Sequence, residues 1–112
     1  MKQLGAIARS DARGYRTIQN KITLLRQQTL QDALQSKLIR KPSATIYVLR
    51  VQSGAAVSYR LPFFEPLCRH GSLIVFTHCE RRRGLQGDAY STLIEQAETL
   101  REEWIQRNCK ER

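Results

Sequence analysis

Between residues 43 and 83, three apolar segments follow one another at strand length, and any fold open to this chain has to pair them. Residues 44–51, Ala-Thr-Ile-Tyr-Val-Leu-Arg-Val, are dense in β-branched and aromatic side chains. After Gln52-Ser53-Gly54-Ala55 comes Val57-Ser58-Tyr59-Arg60-Leu61, which alternates apolar and polar at period two. Residues 72–78 form the third segment, behind a loop ending in His70-Gly71. Residues 51–54 read as a hairpin turn, with Gly54 free to take positive φ, and Pro62 as the close of the second strand. Ile46, Tyr47, Val48 and Leu49 are apolar toward both faces, which predicts a central strand covered by a helix on at least one side.

Residues 1–14 mix Gly5, Ser10, Asp11 and Gly14 without period and read as a flexible arm, leaving one domain over residues 15–112. From Tyr15 a helical period brings Ile18, Ile22 and Leu25 to one face. Thr29 followed by Asp32 reads as the capped start of a second helix with Leu30, Ala33, Leu34 and Leu38 inward, ended by Pro42. Lys37, Arg40 and Lys41 then fall in its last turn, where cations either complement the helix dipole or meet a phosphate. After the basic loop Arg81-Arg82-Arg83-Gly84, Asp88 can cap a final helix striped with Tyr90, Leu93, Ile94, Ala97, Leu100, Trp104 and Ile105. The expected fold is α+β: two N-terminal helices, a three-stranded antiparallel meander and a C-terminal amphipathic helix.

The charge is lopsided. Of the net +9, residues 1–87 contribute fifteen basic and four acidic residues, a net of +11, while residues 88–112 are mildly acidic. A cationic body of this kind suits a polyanion, most commonly nucleic acid. No stretch approaches the roughly 18–20 apolar residues that span a bilayer. Cys68, Cys79 and Cys109 are odd in number and widely spaced, which suits idle thiols in a reducing cytosol, and no second ligand pair at zinc-like spacing accompanies Cys68, His70, His78 or Cys79.

The run Ile46-Tyr47-Val48-Leu49-Arg50-Val51, then Tyr59-Arg60-Leu61-Pro62-Phe63-Phe64, then Leu73-Ile74-Val75-Phe76-Thr77-His78, then Arg82-Arg83 and a helix centred on Ala97, resembles the RelE/HigB superfamily, nearest its phage-derived HigB-like branch. The resemblance covers roughly residues 15–105. It implies a RelE-like fold and the toxin of a type II toxin–antitoxin pair, which cuts mRNA on the ribosome without metal or other cofactor and is neutralised by a cognate antitoxin protein. Arg50 matches the arginine of the family's "ELR" strand, Tyr59 and Arg60 its "YR" pair, His78 its strand-end histidine, and Arg82 with Arg83 its lysine pair. Val48 stands where the family carries an acid, and arginines stand in place of the lysines.

RNA cleavage through the ribose 2′-OH needs that hydroxyl deprotonated, the pentavalent phosphate stabilised and the leaving 5′-oxygen protonated. The strand region offers only Glu65 and Glu80 as carboxylates, so arginines and a histidine are the available groups. Arginine clamps a phosphate bidentately, which assigns that role to Arg50, Arg60, Arg82 and Arg83. His78 is the natural proton carrier, Tyr59 can assist or stack on a base, and Lys37, Arg40, Lys41 and Arg81 can contact RNA phosphates. Two other classes compete. A winged-helix DNA binder would project Arg50 and Arg60 on a wing and lay residues 32–41 in a groove, and an inactive toxin-like module would only bind protein.

Overall fold

A computed structural model describes residues 2–53, 57–66, 68, 74–83 and 91–109, with the side chains of residues 2–4 and Arg83 set aside. Helices α1 (Lys2–Ser10), α2 (Ala12–Arg26) and α3 (Leu30–Gln35) precede strands β1 (Ile39–Arg40), β2 (Tyr47–Ser53), β3 (Val57–Phe64), β4 (Val75–Phe76) and β5 (Glu80–Arg83), and helix α4 (Ser91–Asn108) closes the order. The fold is α+β. All strand pairs are antiparallel, in the order β1-β2-β3-β4, with β5 also paired to β3.

Register decides what each face carries. β2 and β3 pair Leu49 with Leu61, Arg50 with Arg60 and Val51 with Tyr59, and directly opposed residues share a face. One face therefore presents Leu49, Val51, Tyr59, Leu61 and Phe63, which are buried with Ile7, Ile18, Leu25 and Ala33 of the N-terminal helices. The other carries Val48 and Phe64, which with Ile46 are buried against Leu93 and Ala97 of α4. Trp104 meets Phe64 edge-on, ring centroids 5.7 Å apart, and Thr45 donates its hydroxyl to Glu98 of α4 at 2.7–2.8 Å. Trp104 of the stripe thus anchors α4 on the sheet, and α4 covers only part of that face.

The segment read as a flexible arm is helical. Asp11 caps α2 by accepting from the Gly14 amide at 2.9 Å through Oδ1, while its Oδ2 accepts from the Tyr59 hydroxyl at 2.7 Å and the Ser53 hydroxyl at 3.1 Å. One carboxylate therefore satisfies a helix end and ties it to β2 and β3. Glycine at position 14 permits the close approach, because a Cβ there would sit 2.9 Å from the Tyr59 ring and closer still to the Asp11 carboxylate.

Other differences have equally local reasons. Helix α3 stops at Gln35 rather than running to Pro42: the Leu38 amide bonds the Ala33 carbonyl at 3.0 Å and the Lys37 amide that of Leu34 at 3.2 Å. Lys37, at φ 67°, fills the left-handed position of this helix stop that glycine usually takes. Pro62 does not end its strand, which continues to Phe64. The basic loop at residues 81–83 is strand β5, and Asp88 and Gly54 lie outside the described residues. The hairpin carrying Arg50 and Arg60 is flanked by β1 on one side and by β4 and β5 on the other, so it is the middle of a sheet and no projecting wing. Cys68 and Cys109 are joined in a disulfide, Cα atoms 5.7 Å apart, which corrects the expectation of idle thiols for that pair. Among the described residues no helix is long and apolar enough to cross a membrane.

Two substitutions test this account by urea denaturation. Gly14→Ala overpacks the junction of α2 with β3 and is expected to cost about 1–3 kcal/mol. Lys37→Gly relieves the left-handed residue and is expected to add about 1 kcal/mol.

Candidate functional site

Past Val48, the sheet face that α4 partly covers becomes polar. Arg60 of β3 pairs with Arg50 of β2 on one side and Glu80 of β5 on the other, and Ser58 likewise lies between Gln52 and Arg82. With adjacent strands roughly 5 Å apart, these two rows set Arg50, Arg60 and Arg82 on one face of three neighbouring strands. Arg50 is exposed, Arg60 only 4% exposed, and Arg82 half-buried. Arg82 Nη1 stands 3.8 Å from Glu80 Oε1, so the acid holds one cation of the group in place.

A local irregularity sets His78 just ahead of Glu80, lining a cavity against α4. Two β3 residues, Leu61 and Pro62, separate the pairs Phe63–Phe76 and Arg60–Glu80, but three residues, 77–79, span the same gap on the partner side. That is a one-residue bulge. Its position follows from Pro62, whose carbonyl accepts from the Thr77 amide at 2.9 Å. In a strand the N–H and C=O of one residue point the same way, so the donor that proline lacks is missing where the extra residue sits.

Within the bulge the Thr77 hydroxyl donates to the Pro62 carbonyl at 3.3 Å and lies 3.0 Å from His78 Nδ1. A hydroxyl has one hydrogen. The acceptor that takes it sets the tautomer: given to Pro62 it leaves Nδ1–H donating to Thr77 and the lone pair on Nε2, and given to Nδ1 it leaves the proton on Nε2. Nε2 is buried and has no hydrogen-bond partner among the described residues. Burial holds the His78 pKa below its ordinary value, against a smaller opposite pull from the Glu80 charge, so the ring is neutral at pH 7. A cavity of about 570 Å³ lies between His78 and Glu95, Gln96, Thr99 and Leu100 of α4.

The remaining sequence candidates fall elsewhere. Tyr59 is in the core on the opposite face, where burial first and the Asp11 bond second push its phenol up to about 12. It is a structural tie, not a site residue. Arg81 pairs with Tyr59 and so belongs to that face too. Lys37 is the helix-stop residue and Lys41 rests over the Tyr47 ring at 5.1 Å, while Arg40, opposite Val48 in β1, is exposed on the face of Arg50 one row along. Arg83 pairs with Val57, and its side chain, like His70, lies outside the described residues. Conversely, Glu80, Thr77, Gln52 and Ser58 join the site without having been singled out. Alternation at period two carried through residues 80–83 would have placed Glu80 and Arg82 beside Arg60.

Neither family models nor curated proteins nor solved structures gave a match to this chain. The chemistry rests on the residues alone: three guanidinium groups on one face, suited to an oxyanion, and a neutral imidazole that lines the cavity against α4.

The lowered pKa of His78 has a stability consequence. The unfolded chain takes up a proton near pH 6.5 that the folded ring resists, so stability falls as pH drops through that value, while above pH 7 the residue contributes no pH dependence. The urea midpoint of the wild type should therefore fall between pH 7.5 and 5.5 by more than that of His78→Gln. Equal falls would show that the ring protonates freely in the folded state.

Proposed function

We propose that this chain is an RNA-cleaving protein of the RelE/HigB toxin type, a ribosome-dependent mRNA endoribonuclease that works in the cytoplasm and is silenced by a cognate antitoxin. The observation that supports this most is the shared face of Arg50, Arg60 and Arg82, with Glu80 of the Arg60 row acting by its charge on His78. Exposed Arg50 meets the incoming phosphate first, and Arg60 and Arg82 receive the charge that builds on its non-bridging oxygens. His78 Nε2 takes the 2′-OH proton as the 2′-oxygen bonds to phosphorus. The P–O5′ bond breaks, and the 5′-oxygen takes its proton from water, leaving a 2′,3′-cyclic phosphate. The ribose seats in the cavity between His78 and α4. Binding to mRNA and ribosomal RNA weakens steeply as salt rises, each phosphate contact adding to the slope.

The burial of Nε2 favours one second reading, in which the same face grips RNA without cutting it. Inducible expression with mapping of mRNA 5′ ends separates the two. The cleaving reading expects growth arrest and cuts positioned by the ribosome. Arrest should be lost in Arg50→Ala, a change at an exposed position that spares the core, and His78→Ala should slow cleavage on translating ribosomes about 10²–10⁴-fold. A fall of less than tenfold removes His78 from the chemistry. Normal growth at high levels of folded protein, without new 5′ ends, sinks the cleaving reading, and RNA binding that Arg50→Ala then weakens would leave the binding one.

A further inference from the structure

Helix α4 is held unevenly along its length. Its two buried residues, Leu93 and Ala97, lie in the first half. In the second half, Trp104 and Ile105 are only half-buried and Leu100 is 37% exposed. This half is held by Trp104 and Ile105 at the margin of the core cluster, with Trp104 edge-on to Phe64, by the Arg101 guanidinium 5.9 Å from the same ring, and by the disulfide from Cys109 to Cys68. Cys109 continues the helix, its amide bonding the Ile105 carbonyl at 2.8 Å. Cys68 follows β3 and is exposed, open to attack by a thiolate, whereas Cys79 is half-buried on the helix side of the sheet with its thiol pushed up to about 11 by burial.

We propose that the Cys68–Cys109 disulfide is a redox-controlled clamp that seats the C-terminal half of α4 on the sheet and is released by small dithiols. A dithiol thiolate attacks Cys68 Sγ and expels the Cys109 thiolate. The second reagent thiol then closes onto the first and frees Cys68, so the protein gains two electrons and two protons and the reagent ends as a cyclic disulfide. Reoxidation by a low-molecular-weight disulfide runs the exchange backwards. Release reaches the neighbouring site through Leu100, which belongs to the released half and walls the cavity with His78. The clamp itself stands on the two cysteines and the helix, and holds whether or not the protein cleaves RNA.

The chain's single tryptophan, Trp104, reports on the seating directly. In denaturant without reductant the purified full-length protein should titrate one thiol, Cys79, and after dithiothreitol three. Under native conditions, dithiothreitol should shift Trp104 emission to the red and speed amide exchange over residues 104–108 at least tenfold, while leaving the exchange of β2 and β3 unchanged. Cys68→Ser and Cys109→Ser should show the reduced behaviour with or without reductant. Three thiols before reduction, or Trp104 emission or exchange unmoved by it, would overturn the clamp, as would serine variants that match the oxidised wild type.

Discussion

The pairing of Arg50 with Arg60 across β2 and β3 is the constraint on which the rest of the structure depends. With side chains alternating at period two, that single register sends Leu49, Val51, Tyr59 and Leu61 to the N-terminal helices and leaves both arginines on the other side. A one-residue slip of β3 would drive Arg60 into the core under the N-terminal helices and turn Tyr59, Leu61 and Phe63 toward the face of Arg50. Burial of those side chains, at about 1.5–3 kcal/mol each, outweighs anything two like charges across a strand pair could set against it. Repulsion between Arg50 and Arg60 is therefore imposed by the core, and a site that collects positive charge is the result.

Asp11 shows how one polar group can join two layers. Its carboxylate is held below its usual range first by the Tyr59 hydroxyl and next by the Gly14 amide, while the same contact helps to raise Tyr59. The helix end and the strands thus share a hydrogen-bond acceptor, and Ile7 and Ile18 are positioned above the sheet by the same junction. On the far face Arg50 is exposed and Arg82 half-buried, and there a polar surface stays open.

Much of this was legible in the residues. The β-branched run in β2 and the alternation in β3 identify the central pair, and the stripe from Leu93 to Ile105 identifies α4, because hydrophobic period reflects which side faces the core. Residues 1–14 were misread because α1 and the start of α2 owe their order to Ile7 and Asp11, whose partners lie some forty residues away in the sheet. Tyr59 was misassigned for a related reason. Its neighbour Arg60 is a site residue, and in a strand adjacency in sequence means opposition in space. The bulge at His78 could have been anticipated from Pro62, but only once β3 was known to be paired on both sides. The Cys68–Cys109 pairing depends on where α4 ends relative to β3, which spacing does not encode.

The outermost strands of the sheet share a trait with a consequence of its own. β1 is two residues long and ends in Arg40, while the opposite border consists of β4 and β5, broken by the bulge and carrying Arg81, Arg82 and Arg83 in succession. Open backbone edges invite a second copy to add its own strand, and brevity, interruption and like charge each discourage that. At low ionic strength two such borders repel. Salt weakens the repulsion over about 10 Å at 0.1 M, so colloidal behaviour in this protein is tuned by the ionic medium as much as by its concentration.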